Sequence, residues 1–286
     1  MLRFGTAGIP VSTPKHDILA GIEHVRNLGL DALEIEFVQS VNMKEEKARL
    51  VRKAAKKFDV SLSVHAPYYI NLNSEDKDII AASREKILKA ARIGNICGAK
   101  TIVFHAGFYG KKKERASQTI RENVEAVTDR LRGERIRVRL GLETTGRVAQ
   151  FGSVSELLEL CKMPGVAPVF DFSHIHARGN GLFRTEDDIE KILDQIERNS
   201  KKLLKNMHMH LSGIAYSEKG ERHHLNLHES DFPWRDFVSA LVKRKVSGTL
   251  ISESQNIEKD ALLLKTIYTK MRDFTKNIKP VERSPS

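Results

Sequence analysis

The sequence predicts a single α/β domain, a closed parallel (β/α)8 or TIM barrel, from three observations. Short apolar runs rich in β-branched residues recur along the 286 residues. Each run is followed by a longer stretch whose apolar positions lie three or four residues apart, which is typical of an amphipathic helix. The length is at the upper end of what one hydrophobic core organises. Eight such alternations favour the closed barrel, and an open doubly wound sheet is the alternative.

The eight predicted strands follow one another at the spacing of a strand plus a helix. They are "RFGTA" (3–7), "ALEIEF" (32–37), "SLSVHA" (61–66), "TIVFHAG" (101–107), "VRLGLET" (138–144), "APVFDFS" (167–173), "NMHMHLS" (206–212) and "GTLISES" (248–254). Helical stretches between them end on Gly29 and Gly98, since glycine adopts the left-handed conformation at a helix terminus at little cost. We expect the barrel to span residues 1–275 and the polar tail, 276–286, to be disordered.

Composition excludes several classes of protein. With 40% hydrophobic and 30% charged residues, the chain has the composition of an ordinary globular protein, and no segment has the roughly 18 apolar residues of a membrane span. The N-terminus has no signal-peptide pattern, so we expect a cytoplasmic protein. The two cysteines, Cys97 and Cys161, lie in apolar helical contexts and indicate buried thiols rather than a disulfide framework.

The charge balance favours a polyanionic partner. Lys and Arg outnumber Asp and Glu by 48 to 37, which gives a formal net charge of +11. A surplus of this size raises the expectation of a nucleic-acid partner. The basic runs at 111–115, 201–205 and 243–245 are individually more typical of solvated helix faces.

Six consecutive predicted strands end on a histidine or a carboxylate. Barrel enzymes place their chemistry at the carboxyl ends of the strands, so these side chains should meet at one rim. Carboxylates that converge in this way repel one another unless a cation holds them. Imidazole and carboxylate without thiolate suit Zn²⁺, Mn²⁺ or Fe²⁺ better than Mg²⁺ or Ca²⁺. The six residues are His65, His105, Glu143, Asp171, His210 and Glu253.

A second group of candidate ligands follows the seventh strand in "EKGERHHLNLHESDFPW". In an extended segment Glu221 and His223 point the same way, so we expect them to share an ion with His174 of the sixth-strand loop, while His224 faces elsewhere. We interpret His224, like His176, as a supporting or structural residue. His208 and His228 receive the same interpretation, with His208 filling a barrel layer beneath His210.

These residues together resemble the endonuclease IV family of apurinic/apyrimidinic endonucleases, which are zinc-dependent DNA repair enzymes on a (β/α)8 barrel. The resemblance runs over roughly residues 1–275 and is carried by "HAPYYINL", "FHAG", "LET", "FDFSHIHARG", "HLSG", "ERHH" and "ISES". It implies three zinc ions, with Mn²⁺ as an alternative metal. One would bind His65, His105 and Glu143; the second would be bridged by Glu143 and held by Asp171, His210 and Glu253; the third would bind His174, Glu221 and His223.

Two departures from the family pattern concern the third ion. Glu221 stands where the family usually has Asp, so its carboxylate is one methylene farther from the backbone. The seventh-strand motif continues as Ser212 and Gly213 where the family usually has Asn and Asp. Zinc accepts either carboxylate, so the first departure changes geometry rather than ligand type.

The resemblance implies base excision repair: hydrolysis of the phosphodiester 5′ to an abasic site in duplex DNA, leaving a 3′-hydroxyl. Glu143 would be the catalytic residue, orienting the attacking water-derived nucleophile between two zinc ions. Tyr68 and Tyr69 would contact DNA at the opened stack, and a monomer would suffice. The alternative is a sugar isomerase or epimerase on the same barrel, with one divalent ion on Glu143, Asp171, His210 and Glu253.

Overall fold

A computed structural model describes residues 1–111 and 113–277 of the chain, and these form a single-domain (β/α)8 barrel. The barrel strands are β1 (Leu2–Ala7), β2 (Ala32–Glu36), β3 (Ser61–His65), β4 (Thr101–Phe104), β5 (Arg139–Glu143), β6 (Val166–Asp171), β7 (Met207–Leu211) and β10 (Gly248–Ser252). These eight parallel strands close in the order β1-β10-β7-β6-β5-β4-β3-β2, which rules out the open doubly wound sheet. Every predicted barrel strand is therefore confirmed.

Helices cover the outside of the barrel in the described part of the chain. They are α1 (Ile18–Asn27), α2 (Glu45–Phe58), α3 (Lys77–Cys97), α4 (Lys113–Gly133), α5 (Val154–Leu160), α6 (Phe172–Arg178), α7 (Glu186–Asn199), α8 (Lys201–Leu204), α9 (Trp234–Lys243) and α10 (Glu258–Asn277). Gly98 ends α3 in the left-handed conformation that the sequence predicts there. Because α10 continues through Asn277, residues 276 and 277 of the expected tail are helical; 278–286 lie outside the described residues.

The sequence did not predict a two-stranded antiparallel hairpin between β7 and α9. It consists of β8 (Gly213–Ser217) and β9 (Gly220–Leu225), which form a two-stranded sheet of their own, with an isolated bridge from Gly220 to Arg147. The hairpin packs on the loop after β5, where the Glu221 amide donates to the Gly146 carbonyl at 3.0 Å and the Val148 amide donates to the Lys219 carbonyl at 3.2 Å. The hairpin is thereby fixed over the carboxyl end of the barrel.

Two further expectations concern surfaces and thiols. The basic run at 243–245 faces the acidic side of α7, where Arg244 pairs with Glu190 at 2.9 Å and with Glu197, and Lys243 pairs with Glu190 at 2.9 Å. Lys243 and Arg244 of that run are thus paired with acids within the fold, as expected of a helix face. Cys97 is buried, Cys161 is half-buried, and both are free thiols.

Within residues 1–111 and 113–277, no helix is both long enough and apolar enough to span a bilayer.

Candidate metal centre

The carboxyl ends of the barrel strands bring the six predicted strand-end residues together. β3, β5 and β6 each end on one of them, one lies inside β7, and one follows each of β4 and β10. The parallel register places Asp171 level with His210 on the neighbouring strand. Candidate ligand atoms lie within 4.8 Å of one another in two overlapping groups, one of His65, His105 and Glu143, and the other of Glu143, Asp171, His210 and Glu253.

Glu143 belongs to both groups because its two carboxylate oxygens face different histidines. Oε2 lies 3.1 Å from Nε2 of His65 and 2.7 Å from Nε2 of His105. Oε1 lies 3.1 Å from Nδ1 of His210 and 3.4 Å from Nδ1 of His174. The side chain is buried at the end of β5, so its orientation is fixed by these contacts and not by solvent. A single carboxylate therefore joins two groups of imidazole donors.

The two carboxylate oxygens of Asp171 differ: one caps helix α6, and the other has no hydrogen-bond partner among the described residues. As the last residue of β6 it caps α6, and its Oδ1 accepts a hydrogen bond from the His174 amide at 2.7 Å. This cap explains the three-residue spacing of Asp171 and His174 in "DFSH". The other oxygen, Oδ2, is buried and has no hydrogen-bond partner in the described part of the protein. An unsatisfied buried carboxylate oxygen is costly in free energy, and a bound cation would satisfy it.

His65 shows that a cation fits the first group. Its Nδ1 lies 2.9 Å from the carbonyl oxygen of Ala66, which only accepts, so this nitrogen carries the proton in the neutral ring. The lone pair on Nε2 then points at the Glu143 carboxylate, an arrangement that is repulsive without a positive charge between or on the two groups. The donor set of imidazoles and carboxylates suits a divalent metal ion.

A layer beneath these ligands contains Glu34, which the sequence analysis missed. Glu34 is buried on β2, and its Oε1 lies 3.0 Å from Nε2 of His210. Its Oε2 lies 3.0 Å from Nε2 of His208 and accepts a hydrogen bond from Ser63 at 2.6 Å. His208 does fill the layer below His210, as the shared strand parity predicts. The contact of Glu34 Oε1 with Nε2 of His210 is electrostatic, because neither atom has a hydrogen-bond partner among the described residues, and it leaves Nδ1 of His210 facing the candidate ligands.

Glu36, two residues farther along β2, was also missed. It lines the cavity above the candidate ligands, and its Oε1 is buried without a hydrogen-bond partner among the described residues. Burial raises the pKa of Glu36 to about 8, although the nearby His65 opposes that rise. The signal was present in "ALEIEF", where two acids alternate in an otherwise apolar strand and so share the inward face.

The pKa values of three site histidines, His65, His174 and His210, are raised when no metal is bound. Burial alone would lower the pKa of His65, but the carboxylates of Glu143 and Glu36 raise it to about 10. The pKa values of His174 and His210 are likewise raised against the effect of burial, by Asp171 and Glu34 respectively, among other acids. Protons on the histidines therefore balance the buried carboxylates in the metal-free protein, and a metal ion would displace them.

The third predicted group of ligands, His174, Glu221 and His223, is only partly brought together in the structure. His174 lies at the site, and its Nε2 is 3.5 Å from Oε2 of Glu221. His223 does not reach them: it is exposed, whereas its neighbour His224 is directed inward, with Nε2 3.2 Å from Nε2 of His174. The expectation from simple strand alternation is wrong because β9 contains a register shift, opposite Ala215 and Tyr216 of β8.

The remaining predicted residues lie around the site. Tyr68 and Tyr69 are 57% and 74% exposed and line a cavity of about 920 Å³, whose lining also includes the candidate ligands His65, His105, Glu143 and Glu253. His176 is buried and structural, since it contacts Asp231 at 3.1 Å. His228 packs against Trp234, with ring centroids 5.2 Å apart, outside the cavity.

The first prediction concerns pH. Because the pKa of His65 is raised from 6.5 to about 10 on folding, its proton stabilises the metal-free protein fully below pH 6.5, and this stabilisation is lost as pH rises through 10. The melting temperature of chelator-treated protein should therefore fall between these values. Added metal should stabilise the protein most at the alkaline end. Replacing the exposed His16 by Ala should leave the slope unchanged, whereas His65→Asn should flatten it; an unchanged slope in His65→Asn would contradict the assignment.

The second prediction concerns Glu34. Glu34→Gln removes the charge that orients His210, so metal affinity should fall by roughly 10- to 100-fold, as measured by competition with a chromogenic chelator. Ser63→Ala is the matched control, because it removes a hydrogen bond to Glu34 and keeps the charge. Equal affinities in Glu34→Gln and the unaltered protein would show that Glu34 has only a packing role.

Comparisons with known proteins agree with this architecture. The chain is 42% identical over 273 residues to Uncharacterized protein MJ0133 of Methanocaldococcus jannaschii, covering 95% of this chain and 98% of that one. It is 30% identical over 163 residues to the Probable endonuclease 4 of Acholeplasma laidlawii, covering 54% of each.

Two solved structures have a similar fold at 18% identity. They are a D-tagatose 3-epimerase-like protein, with a TM-score of 0.70 over 95% of this chain and 99% of that one, and endonuclease IV from Thermus thermophilus, with a TM-score of 0.70 over 94% and 99%. The same fold thus occurs in an endonuclease and in an epimerase-like protein. The family model described as Xylose isomerase-like TIM barrel matches residues 22–276, and the chain belongs to that family.

Proposed function

We propose that this protein is a metal-dependent DNA repair endonuclease that hydrolyses the phosphodiester 5′ to abasic sites in duplex DNA and leaves a 3′-hydroxyl. The observation that carries the proposal is the position of Glu143, whose oxygens each face a separate pair of histidines. A carboxylate shared in this way suits two neighbouring metal ions, and paired ions are a recurring solution for in-line displacement at phosphorus.

The same residues also include the ligand set of the alternative function. Glu143, Asp171, His210 and Glu253 form one of the candidate groups and would hold the single ion of a sugar isomerase or epimerase. That function leaves His65 and His105 without a purpose, although both direct Nε2 at Glu143 Oε2. It also leaves His174 and Glu221, 3.5 Å apart, unexplained. We therefore favour the nuclease.

The residues fit zinc, and their roles follow from position. When bound, zinc ions supply a nucleophile from water at neutral pH and neutralise charge on the phosphate. Glu143 would orient that nucleophile, because it contacts four imidazoles and lines the cavity. Glu34, 3.0 Å from Nε2 of His210, and the Thr144 carbonyl, 3.0 Å from Nδ1 of His174, would keep these two imidazoles in place.

The exposed tyrosines at the rim of the cavity and the positive net charge of the chain favour DNA as the partner. An abasic nucleotide must leave the helix to reach the metal ions, at a cost of a few kcal/mol that is smallest where no base is paired. Tyr68 and Tyr69 extend from the loop directly after His65 and are exposed, so they can stack in the gap. The formal charge of +11 favours a polyanion over a small neutral sugar. The similarity to the Probable endonuclease 4 of Acholeplasma laidlawii supports the same choice.

The third prediction tests the activity. Zinc-loaded protein should nick a duplex that contains one abasic site without added Mg²⁺, and a chelator should abolish nicking. Glu143→Gln should lower the rate by 100-fold or more, since it removes the shared carboxylate charge, and should keep affinity for DNA. Glu159→Gln, on the exposed side of α5, is the control and should retain the full rate. Interconversion of a ketose with its epimer by protein that nicks no DNA would refute the proposal and support the alternative.

The fourth prediction tests the rim. Tyr68→Ala should reduce the preference for abasic over intact duplex, as measured by competition binding, because it removes a ring that fills the opened stack. Its salt dependence should match that of the unaltered protein, where raising salt from about 50 to 200 mM weakens binding by orders of magnitude for 6–10 phosphate contacts. Phe274→Ala, which changes an aromatic on α10 that is 70% exposed, is the control. Equal losses on both duplexes would exclude a stacking role for Tyr68.

A further inference from the structure

The register of the β8–β9 hairpin determines which histidine reaches the cavity. Glu221 is opposite Tyr216, His223 is opposite Ala215 and His224 is opposite Ile214. Arg222 therefore has no partner on β8 and is the extra residue of a β-bulge. Because the partners of Glu221 and His224 are two residues apart, these two side chains share one face, and His223 lies on the other.

The hydrogen bonds of the two inward imidazoles fix their tautomers. Nδ1 of His174 lies 3.0 Å from the Thr144 carbonyl oxygen, and Nδ1 of His224 lies 3.2 Å from the Glu253 carbonyl oxygen. A carbonyl only accepts, so both Nδ1 atoms carry hydrogen. In the neutral rings both Nε2 atoms then present lone pairs to each other across 3.2 Å. Two facing lone pairs beside a carboxylate form a site for a cation.

We propose that His174, Glu221 and His224 form a metal site that adjoins Asp171 and Glu253, whose candidate ligand atoms lie within 4.8 Å of those of the two histidines, with the strand supplying ligands at positions i and i+3 across the bulge. This inference deepens the proposed function, because it assigns the ligands of the ion expected to bind the scissile phosphate. Glu221 Oε2 lies 3.5 Å from Nε2 of His174, and Glu221 Oε1 lies 3.8 Å from Nε2 of His224. In a tetrahedral zinc site with Zn–N of about 2.0–2.1 Å, ligand atoms are roughly 3.3 Å apart, so the observed spacing needs only small adjustments.

The loop after β5 creates the room that this ligand pair needs. A Cβ added at Gly146 would lie 2.5 Å from Cβ of Glu221 and 2.7 Å from its Oε2. Gly220, the residue before Glu221, has φ of +89°, and a side chain there would overlap the Gly146 carbonyl. The close approach of two glycines thus lets the hairpin backbone lie near the loop while the longer Glu side chain still reaches His174.

The site leaves one position for substrate. All three ligands line the cavity and not the closed interior of the barrel. Three protein ligands with a fourth position facing a cavity are typical of catalytic zinc, and an oxygen of the phosphate would occupy that position.

The neighbouring histidines provide a matched test of this site. Protein stripped with a chelator, reloaded with zinc and desalted should show about one zinc per chain fewer in His224→Ala than in the unaltered protein, by elemental analysis. His223→Ala changes the same residue type one position away and should keep the full zinc content. The reverse pattern would overturn the assignment, as would unchanged zinc in both variants, since the inward imidazoles would then share only a proton.

Two additional measurements keep the test decisive. If His224→Ala unfolds, Gly146→Ala serves as a second variant that keeps all three ligand residues in the sequence but displaces the Glu221 side chain, so it should also lose about one zinc. Zinc content does not depend on nicking: loss of zinc in His224→Ala from a protein inactive on abasic DNA would support the site and refute the proposed function. Loss of nicking in His224→Ala with full zinc content would overturn the site and leave the function intact.

Discussion

The balance of buried charge at the carboxyl end of the barrel determines which side chains can lie at the cavity. Glu34, Glu143 and Asp171 are buried there, with Glu36 and Glu253 beside them, in a region where an uncompensated carboxylate is expensive. Histidines are the only partners that can be protonated in the metal-free protein and neutral when a metal is bound. The mixture of acids and imidazoles would therefore allow one set of side chains to fold without metal and to coordinate a metal ion afterwards.

The barrel and its strand-end residues could be predicted because both depend on local sequence. A strand such as "TIVFHAG" can be predicted from its β-branched residues. Closure of the barrel then places His105 beside Glu143, so this contact can be predicted without information on side-chain packing. Glu34 was missed because it lies within its strand and not at the end. Glu36 is the last residue of β2 and second to last in "ALEIEF", as Glu143 is in "VRLGLET", so the rule that selected Glu143 applied to Glu36 as well and was not extended to this strand.

His224 could not be predicted in the same way. Strand alternation is a reliable rule only where pairing is regular, and the register of β9 depends on its partner strand and on the close contact of Gly220 with the loop after β5. Those contacts join segments about 70 residues apart in the chain, at 146 and 220. A one-residue shift in pairing is invisible in the motif "ERHH", where both histidines have the same chemistry, yet it decides which of them enters the cavity.

The independence of the β8–β9 hairpin has a consequence for how such enzymes diversify. The barrel closes through β7 and β10, and the hairpin is a separate sheet inserted between them. A change in the length or pairing of this segment would alter the side chains above the barrel while the eight-stranded sheet stays closed through β7 and β10. The same barrel can in this way carry different chemical groups at its carboxyl end, which is how one fold supports many functions.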